Sequence, residues 1–212
     1  MRKLLCKTIC GLGLFMSFGC SIKGKYSDPV TDNSVISQLY SKDIEIREID
    51  AKTDTVNLEK YDKKHREQIF QFLADNKIIT PNDKYRAAWI LQHTAAKICE
   101  GELTSLSPEN FLLAYKLSSS ALMQLTKQND TVLIKKMNLP RIVALNYDRY
   151  LLFTYGYQKF GTQFIFDDKT GEMILAPINE TLSNDQERKK FNVEPLNQLL
   201  KTHKMKPMPK QQ

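Results

Sequence analysis

Apolar residues recur every three or four positions over residues 58–75. Leu58, Tyr61, His65, Ile69, Phe72 and Leu73 gather on one face and Glu59, Lys63, Lys64 and Glu67 on the other, which predicts an amphipathic helix. A second helix is expected from Pro81 to about Cys99, with Thr80 as N-cap, proline at the first helical position and Asp83 in the first turn, where the helix dipole favours an anion. Ser107-Pro108-Glu109 repeats that opening and predicts a third helix over 108–127, packing through Phe111, Ala114, Tyr115, Ser118, Leu122 and Leu125. The stretch 140–155 is apolar almost all round, so it reads as a central buried helix, and Gly156 ends it.

After Gly156 the period changes. Residues 162–166 and 172–176 alternate about Asp167-Asp168-Lys169-Thr170-Gly171, a β-hairpin whose Phe164 and Phe166 face should pack on the helices. Ser183-Asn184-Asp185 and Pro195 each open a short helix. Upstream the pattern is loose. Residues 21–33 read as a polar tether, 35–40 as a short helix, and 44–49 alternates in a way that fits a strand or an irregular segment equally. The expected fold is therefore mainly α (α+β): one helical domain of about four to six helices over 58–203, with one small hairpin near the C-terminus and a basic disordered tail at 204–212.

Composition changes this picture chiefly at the N-terminus. Residues 1–19 carry Arg2, Lys3 and Lys7 without an acid, then an apolar stretch from Thr8 to Phe18, the build of an export signal too short to span a bilayer. Ser17-Phe18-Gly19-Cys20 resembles a bacterial lipobox, in which the signal is cut before the cysteine and that cysteine is acylated. Ser17 and Phe18 depart from the usual pattern, and an ordinary signal-peptidase cut also suits Ser17 and Gly19. On the lipobox reading Cys20 is the lipidation site, 20–57 forms anchor and tether, and the protein resides in the bacterial cell envelope with the membrane as its partner. Cys6 and Cys10 leave with the signal, so Cys99 is the one thiol in the body, on an apolar face, and no internal disulfide can form. Of the formal charge of +7, the chain from Cys20 onward keeps +4, with 28 basic against 24 acidic residues interspersed. Such a balance points away from nucleic acid.

Candidate chemistry is sparse. No Gly-rich phosphate loop, H-E-x-x-H, C-x-x-C or EF-hand loop occurs, and Ser118-Ser119-Ser120 lacks the G-x-S-x-G context of a nucleophile. No cofactor is expected. A metal set of His65, His93 and Asp148 has no two histidines at ligand spacing on one element, so no metal is expected either. Polar residues in apolar surroundings stand out instead. Asp148 and Arg149 lie in the apolar helix 140–155, point about 100° apart and must each find a partner on another element. Gln92 projects onto the packing face of its helix with Trp89 and Cys99, whereas His93 projects onto the polar stripe with Arg86 and Lys97.

The ordered set Asp62-x-x-His65-Arg66, Ala87-Ala88-Trp89-Ile90-Leu91-Gln92-His93, Asp148-Arg149-Tyr150-Leu151 and Gln158-x-Phe160-Gly161-Thr162-Gln163 resembles a bacterial domain-of-unknown-function family. That family carries an A-x-I-x-Q-H helix and a D-R-Y-L…Q-x-[FY]-G-T-Q motif, and the likeness covers roughly 62–200, with Asp185 and Arg188 included. Thr94-Ala95-Ala96 after His93 departs from it. The resemblance implies a common site at Gln92, His93, Asp148, Arg149, Gln158 and Gln163 without naming its work. Two functions follow as expectations. One is a non-catalytic domain whose polar cluster locks the helices or, through Gln92, Gln158 and Gln163, takes a small polar ligand or a peptide. The other is a hydrolase-like enzyme with His93 as base, Asp148 orienting it, and Arg149 or Gln163 stabilising an anion.

Overall fold

The computed structural model describes residues 30–94 and 107–208. Eight α-helices and one two-stranded antiparallel hairpin make up these residues, in the order α1 (Ser34–Thr53), α2 (Leu58–Ala74), α3 (Pro81–Gln92), α4 (Glu109–Lys127), α5 (Thr131–Lys136), α6 (Leu139–Tyr155), β1 (Phe164–Asp167), β2 (Glu172–Leu175), α7 (Asp185–Lys190) and α8 (Leu196–Thr202). The fold is mainly helical with a small hairpin near the C-terminus, as the hydrophobic period predicts. The helix count exceeds four to six because α1 and α5 are additional.

α1 redraws the expected boundary of the helical body. Residues 34–53, of which only 35–40 reads as helix in the sequence, form a 20-residue helix capped by the Asn33 side chain, with Ile36, Asp43 and Ile46 buried. Ile36 joins Ile69 of α2, Ala87, Ala88, Ile90 and Leu91 of α3 and Ala114 of α4 in the principal apolar core. A second set of bonds fixes where α1 begins. Thr80 Oγ1 donates to Asp32 Oδ1 at 2.8 Å, and Asn33 N donates to Asp83 Oδ1 at 3.0 Å, so the first turns of α1 and α3 are tied together.

α4 and α6 pack through small residues. Ala114, Ser118 and Ala121 are fully buried, and Ser118 Oγ, bonded back to Ala114 O at 2.8 Å, accepts from Asn146 Nδ2 of α6 at 3.3 Å. Ser118 thus lies on the packing face that the helical period assigns it, its hydroxyl satisfied by its own helix. α6 ends at Gly156, whose φ of 78° is left-handed. The hairpin pairs Phe164 with Leu175 and Asp167 with Glu172. Phe164 and Phe166, expected to pack on the helices, are instead partly and largely exposed; Leu175 of the other strand supplies the buried contact, with Ile178 and Leu199 of α8. The segment at 204–206, expected to be disordered tail, bonds to the edge of β2: Leu175 N donates to Lys204 O at 2.8 Å and Lys206 N to Leu175 O at 2.9 Å. Cys20, Cys99 and the rest of the tail from residue 209 lie outside the described residues.

Candidate functional site

The polar residues singled out above separate into two groups with different work. Asp148 and Gln158 belong to a lock beneath the hairpin. Asp148 is fully buried; its Oδ1 accepts the backbone N–H of Lys159 at 2.8 Å and of Phe160 at 2.7 Å, and its Oδ2 accepts Thr162 N at 3.0 Å and Thr162 Oγ1 at 2.8 Å. Burial pushes this carboxyl up, while the N–H groups of Phe160 and Thr162, the Thr162 hydroxyl and the N–H of Lys159 pull against it. The nearby charge of Arg188, buried on α7, also answers Asp148. Gln158, fully buried too, bridges the turn: its Nε2 donates to Gln163 O and Ala176 O at 2.9 Å each, and its Oε1 accepts Gln163 N at 2.8 Å. All the hydrogen-bonding capacity these atoms show is spent on backbone and on Thr162. Asp148 therefore does not orient His93, and Gln158 has nothing left for a ligand; both expectations are corrected by where the turn 157–163 lies.

Gln92, His93, Arg149 and Gln163 do come together, at a cleft of about 550 Å³ bounded by α1, α3, α6 and β1. The helix α3 stops at Gln92, earlier than predicted, and His93 is its C-cap. His93 still meets Trp89 one turn back, as a helical position would, and it is α1, through Asp43 and Arg47, that takes its ring out of solvent. The carbonyls exposed at this helix end are taken by two arginines: Arg149 Nη1 donates to Gln92 O at 2.6 Å, and Arg66 Nη1 to His93 O at 2.7 Å. Arg149 Nε also donates to Gln163 Oε1 at 3.1 Å, and its guanidinium lies 5.7 Å from the Phe111 ring centre. Among the described residues no carboxylate pairs with Arg149; burial lowers its pKa, and the like charge of Arg47 lowers it further. Opposite Arg149 the wall is apolar, with Phe111 and Phe153 stacked at 5.1 Å and Leu152 and Phe164 beside them.

The other side of the cleft is built on α2 and on α1, in which the sequence pattern marks no site residue. Asp43, buried on α1, places Oδ2 2.9 Å from His93 Nδ1 and 3.5 Å from Arg47 Nε, and Oδ1 3.8 Å from His65 Nδ1. Arg47 bridges outward to Asp62 of α2 through a short Nη2–Oδ1 contact, and its Nε lies 3.1 Å from His93 Nδ1. One ring nitrogen cannot accept from Arg47 and donate to Asp43 at once. With the proton on Nδ1, the buried Asp43 Oδ2 gains a donor it otherwise lacks, and Arg47 keeps Asp62. Leaving a buried carboxylate oxygen without a donor is the costlier alternative, so the Nδ1–H tautomer is favoured and Nε2 carries the lone pair. Burial would raise the Asp43 pKa, but hydrogen bonds from His65 and His93 and the charge of Arg47 hold it well below the usual carboxylate range. Asp62 moves the other way, pushed up by burial against the opposing charge of Arg47.

Asp43, Asp62 and His93 each offer a ligand atom, all within 4.8 Å of one another, a spacing a metal ion could use. Arg47 already contacts all three, and its guanidinium supplies the positive charge there. The set of His65, His93 and Asp148, set aside above for lack of ligand spacing, does not assemble, since Asp148 is committed to the turn. A groove of similar volume lies on the outer side of the hairpin, but its Lys204 pairs with Glu172 at 2.7 Å and it gathers no comparable set of unsatisfied groups. Among the described residues no helix is long and apolar enough to cross a membrane. No protein-family model matches the chain, and neither the curated proteins nor the solved structures compared with it give a match.

Proposed function

We propose that this is a lipid-anchored protein of the bacterial cell envelope whose helical domain binds a small ligand bearing an anionic group and an apolar body, in the cleft between α1, α3, α6 and β1. The observation that carries the binding reading is Arg149. It is a guanidinium held in place by Gln163, the end of α3 and Phe111, without a carboxylate among the described residues, at the wall of a cleft large enough for a small molecule. A charge so positioned is poorly solvated and gains from an incoming anion. The lipid-anchor reading is supported by Cys20 and the basic and apolar stretches that precede it.

Titration calorimetry with phenylacetate, which pairs a carboxylate with a ring, tests the binding reading. Arg149→Gln should weaken binding by tenfold or more, about the worth of one charge-assisted hydrogen bond. Because Arg149 also caps α3, a second variant is needed: Phe166→Glu adds an anion at the largely exposed rim of the cleft, where folding does not depend on it, and should weaken binding as well. Absence of binding by the unaltered protein to phenylacetate and to related carboxylates and phosphates would overturn the reading.

The Asp43–His93 pair favours a second reading, a hydrolase-like enzyme in which His93 Nε2 is a general base. Asp43 then holds the orienting role that the sequence pattern gave to Asp148. Loss of a measured hydrolytic activity in His93→Ala, with folding intact, would favour it over binding alone.

A further inference from the structure

We infer that the ligand of this cleft is a zwitterion, an α-amino acid or short peptide with an apolar side chain, its carboxylate on Arg149 and its ammonium on the acceptors opposite. The inference rests on the anion-binding reading above and adds the second pole of the ligand.

Among the described residues the cleft presents unsatisfied groups of both signs. On one side is Arg149, with N–H groups beyond the two bonded to Gln163 and Gln92. On the other are acceptors without donors. Asp62 has given one carboxylate oxygen to Arg47, and the other makes no hydrogen bond. His93, with Nδ1–H turned to Asp43, has a bare Nε2 with no protein partner. Gln92, 4% exposed, has a buried Oε1 that accepts nothing. Gln92 Oε1, buried without a donor, costs free energy, while the free Asp62 oxygen and His93 Nε2 are open to an incoming donor.

A simple anion answers Arg149 but offers these acceptors no hydrogen. It would also bring its charge toward Asp62. A simple cation satisfies the acceptors but meets the charges of both Arg47 and Arg149 with no anion of its own to offset them. An α-ammonium group supplies three N–H donors, enough for a carboxylate oxygen, an imidazole nitrogen and an amide oxygen, while the attached carboxylate faces the guanidinium. Between the poles, the stacked Phe111 and Phe153 with Leu152 and Phe164 offer an apolar and aromatic bed for a side chain.

Calorimetry with four probes separates the elements of this inference: L-phenylalanine, N-acetyl-L-phenylalanine, L-phenylalaninamide and L-alanyl-L-phenylalanine. The expected result is that L-phenylalanine or the dipeptide binds at least tenfold more tightly than both single-pole analogues. Asp62→Asn should then shrink the preference over the N-acetyl compound to less than threefold. If N-acetyl-L-phenylalanine binds as tightly as the amino acid and the dipeptide, the zwitterion inference is overturned while the anion-binding cleft stands. If the amide binds as tightly, the carboxylate is not read and the inference is equally overturned. If none of the four binds but phenylacetate does, the inference fails alone; if phenylacetate fails too, the cleft reading fails with it. The four-probe comparison uses the unaltered protein, so it decides the question even where Asp62→Asn does not fold.

Discussion

Asp43 shows how one residue can organise a site that its own sequence neighbourhood does not advertise. It is a carboxylate on the buried face of α1, and it is tolerated there because two histidines and Arg47 surround it. Its folded-state pKa lies below the ordinary value of 3.8. Its ionisation therefore stabilises the fold, fully so above about pH 4, and that contribution is lost as the pH falls through and below the unfolded-state pKa. Asp62, whose pKa is raised, contributes with the opposite sign, which makes a comparison with a variant necessary. In denaturant unfolding at pH 3 and pH 6, Asp43→Asn should be less stable than the unaltered protein at pH 6, and the gap should shrink at pH 3. A gap independent of pH would show that the charge of Asp43 is not what its surroundings hold.

At the scale of elements, the lock between α6 and the hairpin is the feature on which the cleft depends. Asp148 gathers the turn 159–162 onto α6, Gln158 fastens it to residues 163 and 176, and Gln163, placed by that turn, reaches Arg149. Gly161 is required within it. Its φ is +80°, and a β-carbon there would lie 2.6 Å from Leu199 Cδ2 and 2.9 Å from Ile178 Cδ1. Asp148→Asn keeps the shape but replaces one of the two acceptor oxygens with a donor facing backbone N–H groups. It should cost about 2–3 kcal/mol of stability, read as a lowered midpoint in chemical denaturation. Unchanged stability in this variant would remove the structural role assigned to Asp148 and return it to the list of residues free to meet a ligand.

For the whole molecule, the central question is how the helical body is presented. The body begins at α1, tied to the start of α3 near Asp32 and Asn33, so the stretch available as a tether after Cys20 is shorter than the 20–57 the sequence pattern assigns. Replacing Cys20 with Ser should move the protein from the membrane fraction to the soluble fraction of fractionated cells. Equal distribution of the two forms would show that Cys20 does not anchor it.

The amino-acid pattern makes legible the helices with an unbroken hydrophobic period. α2, α3, α4 and α6 follow from spacing and from caps such as Thr80 and Gly156, and the hairpin follows from alternation about a Gly-containing turn. It also marked Gln92, His93, Arg149 and Gln163 as residues to watch, and the structure brings those four to one cleft. It showed α1 only over 35–40 and not its full length, because the buried face of that helix carries Asp43 between Ile36 and Ile46, while Ile44 and Ile46 mimic the period of a strand. Nor could it assign partners to Asp148 and Arg149, since a buried charge is satisfied by groups distant in sequence. Folding is what commits Asp148 to a turn, leaves Arg149 donors for the cleft and sets His93 against Asp43, fifty residues upstream. The physical reason is the same in each case: hydrophobic period is a local property of the chain, while the satisfaction of buried polar groups depends on what folding brings beside them.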